Sequence, residues 1–207
     1  MTNILLIKSS PRGGASVSSQ LGEELVQQLK EQHPGAVVKV RDLASQPAPH
    51  ITPDYIGGVF KPADQRSEQE SQLVGYGDEL IDELEWANHI VVSSGMINFS
   101  IPSTLKAWLD HVVRVGRTVQ YTADGPVGQL GGRQLYLVLA SGGAYGPERQ
   151  AWEFQLSYLK QIFSFIGLDE AQVFCAQGTL APAEIAQQNI ASARESILQL
   201  SLAEVGA

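Results

Sequence analysis

The stretch Ile4-Leu5-Leu6-Ile7-Lys8-Ser9-Ser10-Pro11-Arg12-Gly13-Gly14-Ala15-Ser16-Val17-Ser18-Ser19 decides the fold of this chain. It begins as a short aliphatic run typical of a buried strand and leads into a segment with helical spacing. Small residues between a strand and a helix N-terminus leave backbone N–H groups and hydroxyls free to bind an anion. The loop contains neither G-x-x-x-x-G-K-[ST] nor G-x-G-x-x-G, so it favours a monophosphate over a nucleoside triphosphate or a dinucleotide. On the loop alone, a polar turn with Ser18 or Ser19 as an ordinary N-cap is the alternative.

Length and composition indicate a globular protein with one domain over residues 1–207. The 207 residues are 43% apolar and 17% charged, which suffices for a buried hydrophobic core. The net charge of −8 makes nucleic acid and an anionic membrane surface poor partners. The single cysteine, Cys175, excludes an internal disulfide and a cysteine-based metal site, and it is expected in the core.

The N-terminal segment and the apolar runs predict a cytoplasmic protein. The chain enters a strand at Asn3 without the charged and apolar regions of a signal peptide. No apolar run approaches the roughly 20 residues that are needed to span a bilayer.

Hydrophobic periodicity predicts alternating strands and helices along the chain. The predicted strands are residues 3–8, 36–41, 89–94, 134–140 and 170–176, and the predicted helices are residues 18–32, 68–87, 103–113, 148–166 and 182–202. Residues 42–67 and 116–132 are predicted to be irregular. Because each strand is a nearly continuous apolar run, we expect a parallel sheet that is buried on both faces and flanked by helices. With the strand order 2-1-3-4-5, this is a three-layer α/β fold of the flavodoxin-like type.

Three loops of small residues follow the first, third and fourth predicted strands, at residues 9–19, 95–100 and 141–144. Ligands of an open parallel sheet bind outside the carboxyl ends of the strands, where the strand order reverses, so we expect the three loops to form one site. The first loop suits a phosphate, and the amides and apolar side chains of the other two suit a planar ring. The combination predicts flavin mononucleotide (FMN). Each loop alone is also compatible with a simple strand-to-helix connection or a glycine turn.

Several short motifs carry a family resemblance over nearly the full length of the chain. They are Lys8-Ser9-Ser10, Ser16-x-Ser18, Met96-x-Asn98-Phe99, Leu105-Lys106-x-Trp108-Leu109-Asp110, Val115-Gly116-x-Thr118, Tyr121-Thr122-x-x-Gly125-Pro126 and Phe165-Ile166-Gly167. In combination they resemble the FMN-dependent NADH azoreductases, also called FMN-dependent NADH:quinone oxidoreductases. The resemblance implies a flavodoxin-like fold and a homodimer with tightly bound FMN near the subunit interface. It also implies hydride transfer from NADH through FMN to a quinone or an azo compound.

The resemblance further implies which residues contact the cofactor. Phosphate contacts fall on Ser10, Ser16, the backbone of Val17, and Ser18. Ring contacts fall on Met96, Ile97, Asn98 and Phe99, and at the other edge of the ring on Ser141, Gly142 and Gly143. Tyr121 and Phe165 correspond to aromatic positions that shape the substrate side. No residue is expected to act as a nucleophile or a metal ligand, because the flavin carries the chemistry.

Three positions depart from the family pattern. Gly95 stands where relatives usually have proline, Ile97 where many have tyrosine, and Ser141 where many have arginine. We expect FMN binding to be retained and the preference among quinones, azo compounds and nitroaromatics to change. No acidic or basic residue in the sequence distinguishes NADH from NADPH as the electron donor.

The expected reaction is a two-step, ping-pong exchange. NADH reduces FMN, NAD leaves, and the acceptor then takes the hydride from the same face. Amides at Asn98, Gly142 and Gly143 are expected to offset negative charge on the ring, an effect comparable to an oxyanion hole. A flavodoxin-like electron carrier and a dehydrogenase without flavin are the alternatives. The irregular segments 42–67 and 116–132 favour the enzyme, because a carrier needs neither a substrate pocket nor a dimer rim.

The histidines and most aromatic residues outside these loops are predicted to be structural. His33, His50, His89 and His111 show no metal-ligand spacing, so each is expected to be solvated or to pair with a neighbour. Phe163 and Phe165 lie two residues apart on one predicted helix. Only one of these two rings can therefore face a pocket.

Overall fold

Strands and helices alternate along residues 1–204, which the computed structural model describes, with side chains described as far as residue 200. The strands are β1 (Asn3–Lys8), β2 (Val37–Asp42), β3 (His89–Gly95), β4 (Val119–Thr122), β5 (Gly125–Gly128), β6 (Gln134–Ala140) and β7 (Ala171–Ala176). The α-helices are α1 (Val17–Gln32), α2 (Pro53–Phe60), α3 (Glu68–Trp86), α4 (Ser103–Val112), α5 (Gln155–Phe165) and α6 (Ala183–Glu204). The last three residues of the predicted domain, 205–207, lie outside the described part. Within residues 1–204, every helix is too short or too polar to cross a membrane.

Five parallel strands form the central sheet in the order β2-β1-β3-β6-β7. Counting only the strands of this sheet, the order is 2-1-3-4-5, so the predicted topology is confirmed. The order reverses between β1 and β3, because β1 pairs with β2 on one side and with β3 on the other. The carboxyl ends of β1, β3 and β6 therefore lie next to each other.

Two hydrophobic layers cover the two faces of the sheet. Alternate residues of β1 point to opposite faces, as the period of a strand requires. Leu5 and Ile7 pack in the layer that contains Trp108 of α4, and Ile4 packs in the layer that contains Leu25 of α1. These side chains are at most 1% exposed. The result is the predicted three-layer arrangement of helices on both faces.

The segment 42–67, predicted to be irregular, contains a helix, so that prediction is wrong in part. Thr52 is the N-cap of α2, and its Oγ1 accepts a hydrogen bond from the N–H of Tyr55 at 3.2 Å. Pro53 at the first helical position starts the helix rather than breaking it, because that position needs no N–H donor. A short 3₁₀ turn, Ala63–Gln65, follows. The high proline and glycine content of this segment obscured the signal for a helix start, which is an N-cap threonine followed by proline.

The second segment that was predicted to be irregular, residues 116–132, contains an antiparallel hairpin. In this hairpin, Val119 of β4 lies opposite Gly128 of β5, and Thr122 lies opposite Gly125. The hairpin has only four residues in each strand and lies outside the central sheet. Its strands are too short for the periodicity of their side chains to be recognised in the sequence.

The fourth predicted helix begins at Gln155 and not at residue 148. The carboxylate of Glu153 accepts hydrogen bonds from the N–H groups of Gln155 and Leu156, at 2.8 and 2.9 Å, and so caps α5. The residues before it form a loop and a 3₁₀ turn, Gln150–Trp152. The helical spacing of the aromatic residues extended the prediction by about two turns beyond this cap.

Both edge strands are less buried than predicted. Val37 and Val40 of β2 are 42% and 58% exposed, and Cys175 of β7 is exposed rather than part of the core. Each edge strand has a neighbour on one side only, so the flanking helices cover it incompletely. The prediction that every strand is buried on both faces holds for the three central strands.

The amino edge of the sheet, at which its parallel strands begin, is held by hydrogen bonds between its own polar groups. The side-chain Oδ1 of Asn88 accepts the N–H of Asn3, and the carbonyl of Asn3 accepts the N–H of Asn88, both at 2.9 Å. His89 Nδ1 lies 3.1 Å from the hydroxyl of Tyr136. Burial, together with the nearby His33, lowers the pKa of His89 from 6.5 to about 4. His89 is therefore a neutral structural histidine at neutral pH.

His111 is the other buried histidine, and it has a structural partner as predicted. Its Nε2 donates to the carbonyl of Pro49 at 2.9 Å, and burial lowers its pKa. Of the two phenylalanines of α5, Phe163 is fully buried and Phe165 is partly buried. No group of three or more potential metal ligands occurs among the described residues.

Candidate functional site

A cleft opens at the carboxyl edge of the sheet, where β1, β3 and β6 end. It encloses about 670 Å³, counting the space that opens to solvent. Eight of the predicted cofactor contacts line it: Ser10, Ser16, Val17, Ser18, Met96, Ile97, Ser141 and Gly142. The three loops therefore meet at one site, as the strand order requires.

Hydroxyls and unpaired N–H groups meet at the end of the cleft next to α1. Ser16 is the N-cap of this helix. Its Oγ accepts the N–H of Ser19 at 3.3 Å and lies 3.1 Å from the Oγ of Ser18. The N–H groups of Val17 and Ser18 occupy the first two helical positions, which no carbonyl of the helix can reach. With the partial positive charge of the helix end, this part of the cleft fits a phosphate.

Gly95 keeps the space in front of two of these hydroxyls open. A Cβ at Gly95 would lie 3.7 Å from Ser10 Oγ and 3.9 Å from Ser18 Oγ, so both hydroxyls face the same space. Ser10 and Ser18 are 6% and 0% exposed, which places them on the floor of the cleft. Ser10 Oγ also accepts the N–H of Arg12 at 3.4 Å, and this contact helps to fix the loop.

The loop after β3 is a tight turn with a strained backbone. Ile97 and Ser100 exchange both backbone hydrogen bonds, at 2.9 and 3.1 Å. Between them, Asn98 and Phe99 have φ angles of +47° and +70°. Positive φ at both central positions is typical of a type I′ turn, which favours Asn-Gly and disfavours a bulky second residue. Strain of this kind occurs preferentially at binding sites.

Contacts from outside the turn hold it in place. The N–H of Met96 donates to the carbonyl of Ala140 at 2.8 Å, and the N–H of Phe154 donates to the carbonyl of Phe99 at 3.0 Å. The Phe99 ring meets Tyr145 and Trp152 edge-on, at centroid distances of 6.4 and 6.1 Å. These contacts fix a turn whose local sequence does not favour it.

The loop after β6 has three occupied carbonyl groups and two free N–H groups. The N–H groups of residues 178–180 donate to the three carbonyls of residues 141–143 at 3.0 to 3.2 Å. Ser141 Oγ also donates to the carbonyl of Gly143 at 2.8 Å. Within the described part of the chain, the N–H groups of Gly142 and Gly143 meet no acceptor. They are therefore available to the edge of a bound ring.

Six residues that line the cleft are not among the predicted contacts. Pro11 and Arg12 belong to the first loop, Gly95 and Ala140 end β3 and β6, and Thr179 and Leu180 come from the loop after β7. Leu180 is 80% exposed, and a Cβ on Gly142 would lie 2.6 Å from its Cδ1. The loop after the fifth strand ends at the same edge of the sheet, so the rule that predicted the other loops could have found it.

Five predicted residues do not line the cleft. Asn98, Phe99 and Gly143 lie beside lining residues in the chain, and Asn98 faces a neighbouring groove together with Lys106. Tyr121 is 59% exposed on β4. Phe165 lies in a surface groove beside β5. Within one chain, therefore, neither Tyr121 nor Phe165, the two candidates for the substrate side, lines the cleft.

Comparison with known proteins agrees with this architecture. The model of the family with the flavodoxin-like fold matches residues 2–200. The FMN-dependent NADH:quinone oxidoreductase of Rhizobium leguminosarum bv. trifolii is 42% identical over 205 residues, which cover 98% of this chain and 100% of that protein. The protein of the same name from Azotobacter vinelandii is 40% identical over 201 residues, covering 97% and 100%.

Solved structures give the same result. An azoreductase from Bacillus anthracis str. Sterne is 28% identical with a TM-score of 0.89, covering 97% of this chain and 99% of that one. An FMN-dependent NADH-azoreductase from Bacillus anthracis str. Ames Ancestor, solved in complex with FMN, is 27% identical with a TM-score of 0.85, covering 97% and 100%. The chain belongs to the family with the flavodoxin-like fold and, within it, to the FMN-dependent NADH:quinone oxidoreductases.

Proposed function

We propose that this protein is an FMN-dependent oxidoreductase that passes a hydride from NADH or NADPH, through FMN, to quinones, azo compounds and nitroaromatics. The observation that carries the proposal is the convergence of free hydrogen-bond donors in one cleft. Hydroxyls and helix N–H groups lie at one end. The free N–H group of Gly142 lies at the other end, and that of Gly143 follows it in the chain. The names of the relatives support the same activity.

The residues of the first loop fit the phosphate of FMN without a lysine. Ser10, Ser16 and Ser18 are each at most 6% exposed, so their hydroxyls are already largely removed from water. Hydrogen bonds to a charged group contribute about 1.5–3 kcal/mol each. Together with the N–H groups of Val17 and Ser18, these hydroxyls are the expected phosphate contacts.

The second and third loops fit the ring. Met96 and Ile97 offer apolar surface within the cleft, and the N–H groups of Asn98, Gly142 and Gly143 are the expected contacts of the ring edges. Bound FMN supplies the two-electron chemistry. The chain's part is to fix amide dipoles in advance where negative charge develops, which lowers the barrier without reorganisation. The occupied carbonyls of residues 141–143 keep negative dipole ends away from the same place.

We also propose that the protein works as a homodimer in the cytoplasm. Phe60 at the end of α2 and Tyr121 on the β4–β5 hairpin are 78% and 59% exposed. A partner subunit that covers both side chains removes their apolar surface from water. The partner subunit is the expected source of the missing substrate-side walls, since Tyr121 does not line the cleft of its own chain. The single cysteine fits a reducing compartment.

The test uses purified protein and anaerobic stopped-flow absorbance. The protein is expected to be yellow, to release FMN on denaturation, and to lose the oxidised flavin band when NADH is added without an acceptor. Benzoquinone or methyl red is then expected to restore the band. The control is free FMN at the same concentration, which sets the background rate.

Other outcomes would contradict the proposal in different ways. If the protein oxidises NADH no faster than free FMN does, the result would favour an electron carrier. A colourless protein that binds NAD alone would favour a dehydrogenase without flavin. A band that is lost only when the acceptor is already bound would exclude the two-step exchange and leave the oxidoreductase activity standing.

A further inference from the structure

The first loop places one charged side chain in a cleft that is otherwise uncharged. Of the residues that line the cleft, only Arg12 is of a charged type. The chain as a whole has a net charge of −8. An anionic ligand that approaches this cleft therefore meets general repulsion and a single local attraction.

Within the described part of the chain, the Arg12 guanidinium has no carboxylate or carbonyl partner. Other arginines do have such partners. Arg41 pairs with Glu79 and Glu83, and Arg194 pairs with Glu24. All five N–H donors of Arg12 are therefore available to a ligand.

The backbone of Arg12 is fixed although its side chain is free. Its N–H donates to Ser10 Oγ at 3.4 Å, and its carbonyl accepts the N–H of Ala15 at 3.2 Å. The guanidinium consequently extends from a defined point on the rim of the cleft. Few backbone degrees of freedom need to be ordered when it binds.

The cleft offers contacts for two anions at different depths, one on its floor and one at its rim. The hydroxyls of Ser10, Ser16 and Ser18 are buried on the floor of the cleft, where the proposed FMN phosphate lies. Arg12 is exposed, so its guanidinium can reach a second ligand that approaches the cleft from solvent. The electron donor of the proposed reaction is such a ligand, since every pyridine dinucleotide carries a pyrophosphate.

We propose that Arg12 is a binding residue for the phosphates of the incoming pyridine dinucleotide. This inference rests on the proposed function, because it assigns a role at the same site. The guanidinium forms paired, charge-assisted hydrogen bonds with a phosphate. The pyrophosphate occurs in both NADH and NADPH, and the 2′-phosphate occurs only in NADPH.

Arg12→Gln removes the charge, and Arg12→Lys keeps the charge but not the planar fork. Lys30→Gln is the matched control, because it removes one positive charge at the other end of α1, about 20 Å away at 1.5 Å per residue. The measurements are the apparent Kd of NADH and of NADPH in stopped-flow reduction at low salt, the FMN content, and the KM of benzoquinone. Calorimetric titration with ADP-ribose and its 2′-phosphate measures binding apart from turnover.

We expect Arg12→Gln to raise the dinucleotide Kd at least tenfold, with unchanged FMN content and unchanged benzoquinone KM. Arg12→Lys should fall in between, and Lys30→Gln should match the wild type. Added salt should weaken binding to the wild type more than to Arg12→Gln. An equal loss of affinity for NADH and NADPH would show that Arg12 binds the pyrophosphate. A larger loss for NADPH would show that it binds the 2′-phosphate. Both results support the proposal.

Three results would overturn it. The first is an unchanged dinucleotide Kd in Arg12→Gln, and the second is the same loss in Lys30→Gln. The third is a loss of FMN from Arg12→Gln, which would assign Arg12 to the cofactor phosphate instead. Failure of the proposed function is distinguishable, because the wild type itself would then fail to oxidise NADH.

Discussion

The amino and carboxyl edges of the central sheet treat similar polar groups in opposite ways. At the amino edge, Asn3 and Asn88 pair through two hydrogen bonds of 2.9 Å, and His89 pairs with Tyr136. At the carboxyl edge, the N–H groups of Val17, Ser18 and residues 142–143 have no partner within the described chain. These groups of the amino edge are used internally, and these donors of the carboxyl edge are free for a ligand.

This difference separates stability from binding in space. A buried polar group that loses its partner costs about 1–3 kcal/mol of folding free energy. Substitutions at the amino edge should therefore lower stability and spare cofactor binding. Substitutions at the carboxyl edge should weaken cofactor binding and have smaller effects on the free energy of unfolding.

The largest expected effect is on cofactor binding in the double substitution Ser16→Ala with Ser18→Ala. Two buried hydroxyls are lost from the proposed phosphate site, at about 1.5–3 kcal/mol each, so the Kd of FMN should rise at least about hundredfold. Fluorescence titration of the apoprotein with FMN measures it. Loss of the Ser16 N-cap should also cost about 1 kcal/mol of stability.

Asn88→Ala is the control at the opposite edge. It removes the Oδ1 acceptor of the Asn3 N–H, so it should lower the melting temperature and leave the FMN Kd within about twofold. An FMN Kd that is unchanged in the serine variant would remove the phosphate role from Ser16 and Ser18. An FMN Kd that rises equally in Asn88→Ala would contradict the separation of the two edges.

The position of the first loop at the cleft could be predicted from its sequence, because free hydroxyls and N–H groups depend on residue type. Serines and glycines before a helix predict free hydroxyls and N–H groups, whatever the exact backbone path. The five strands and the two flanking layers were predicted for a similar reason, since apolar strand patterns are local. The strand order follows from the flavodoxin-like fold type and not from any local pattern. Ser16 proved to be the N-cap, in place of Ser18 or Ser19.

Other features were missed because they depend on contacts that are distant in sequence. The positive φ values at Asn98 and Phe99 are held by Ala140 and Phe154, which no local pattern identifies. The role of residues 178–180 in occupying the carbonyls of residues 141–143 is also non-local. Helix α2 is a local feature that was also missed, because the segment 42–67 was predicted to be irregular although Thr52 and Pro53 start a helix there.

The second-largest expected effect is at the amino edge, where His89 makes the free energy of unfolding depend on pH. His89 has a pKa of about 4 in the folded protein, against about 6.5 in the unfolded chain. The unfolded state therefore binds a proton first as the pH falls, and stability is lost between about pH 6.5 and 4. The shift corresponds to roughly 3 kcal/mol.

His89→Gln keeps a polar partner for the Tyr136 hydroxyl and removes the titrating ring. Urea denaturation at a series of pH values should show a smaller loss of stability between pH 6.5 and 4 in this variant. FMN content above pH 7 should be unchanged, because His89 lies at the opposite edge from the cleft. Identical pH dependence in the two proteins would show that His89 does not carry this effect.

The smallest effect concerns strain at the carboxyl edge, in a pair of substitutions at Phe99. Phe99→Ala and Phe99→Gly both remove the ring and its contacts with Tyr145 and Trp152, but only glycine accepts the φ of +70° without cost. The glycine variant should therefore be more stable than the alanine variant by about 1 kcal/mol in urea denaturation, although glycine is normally the less stable of the two. Phe99→Gly also gives the turn an Asn-Gly pair at its centre, which is the preferred sequence for this turn type. If alanine is instead the more stable, the backbone of this loop is not strained, and the site keeps its shape without stored energy.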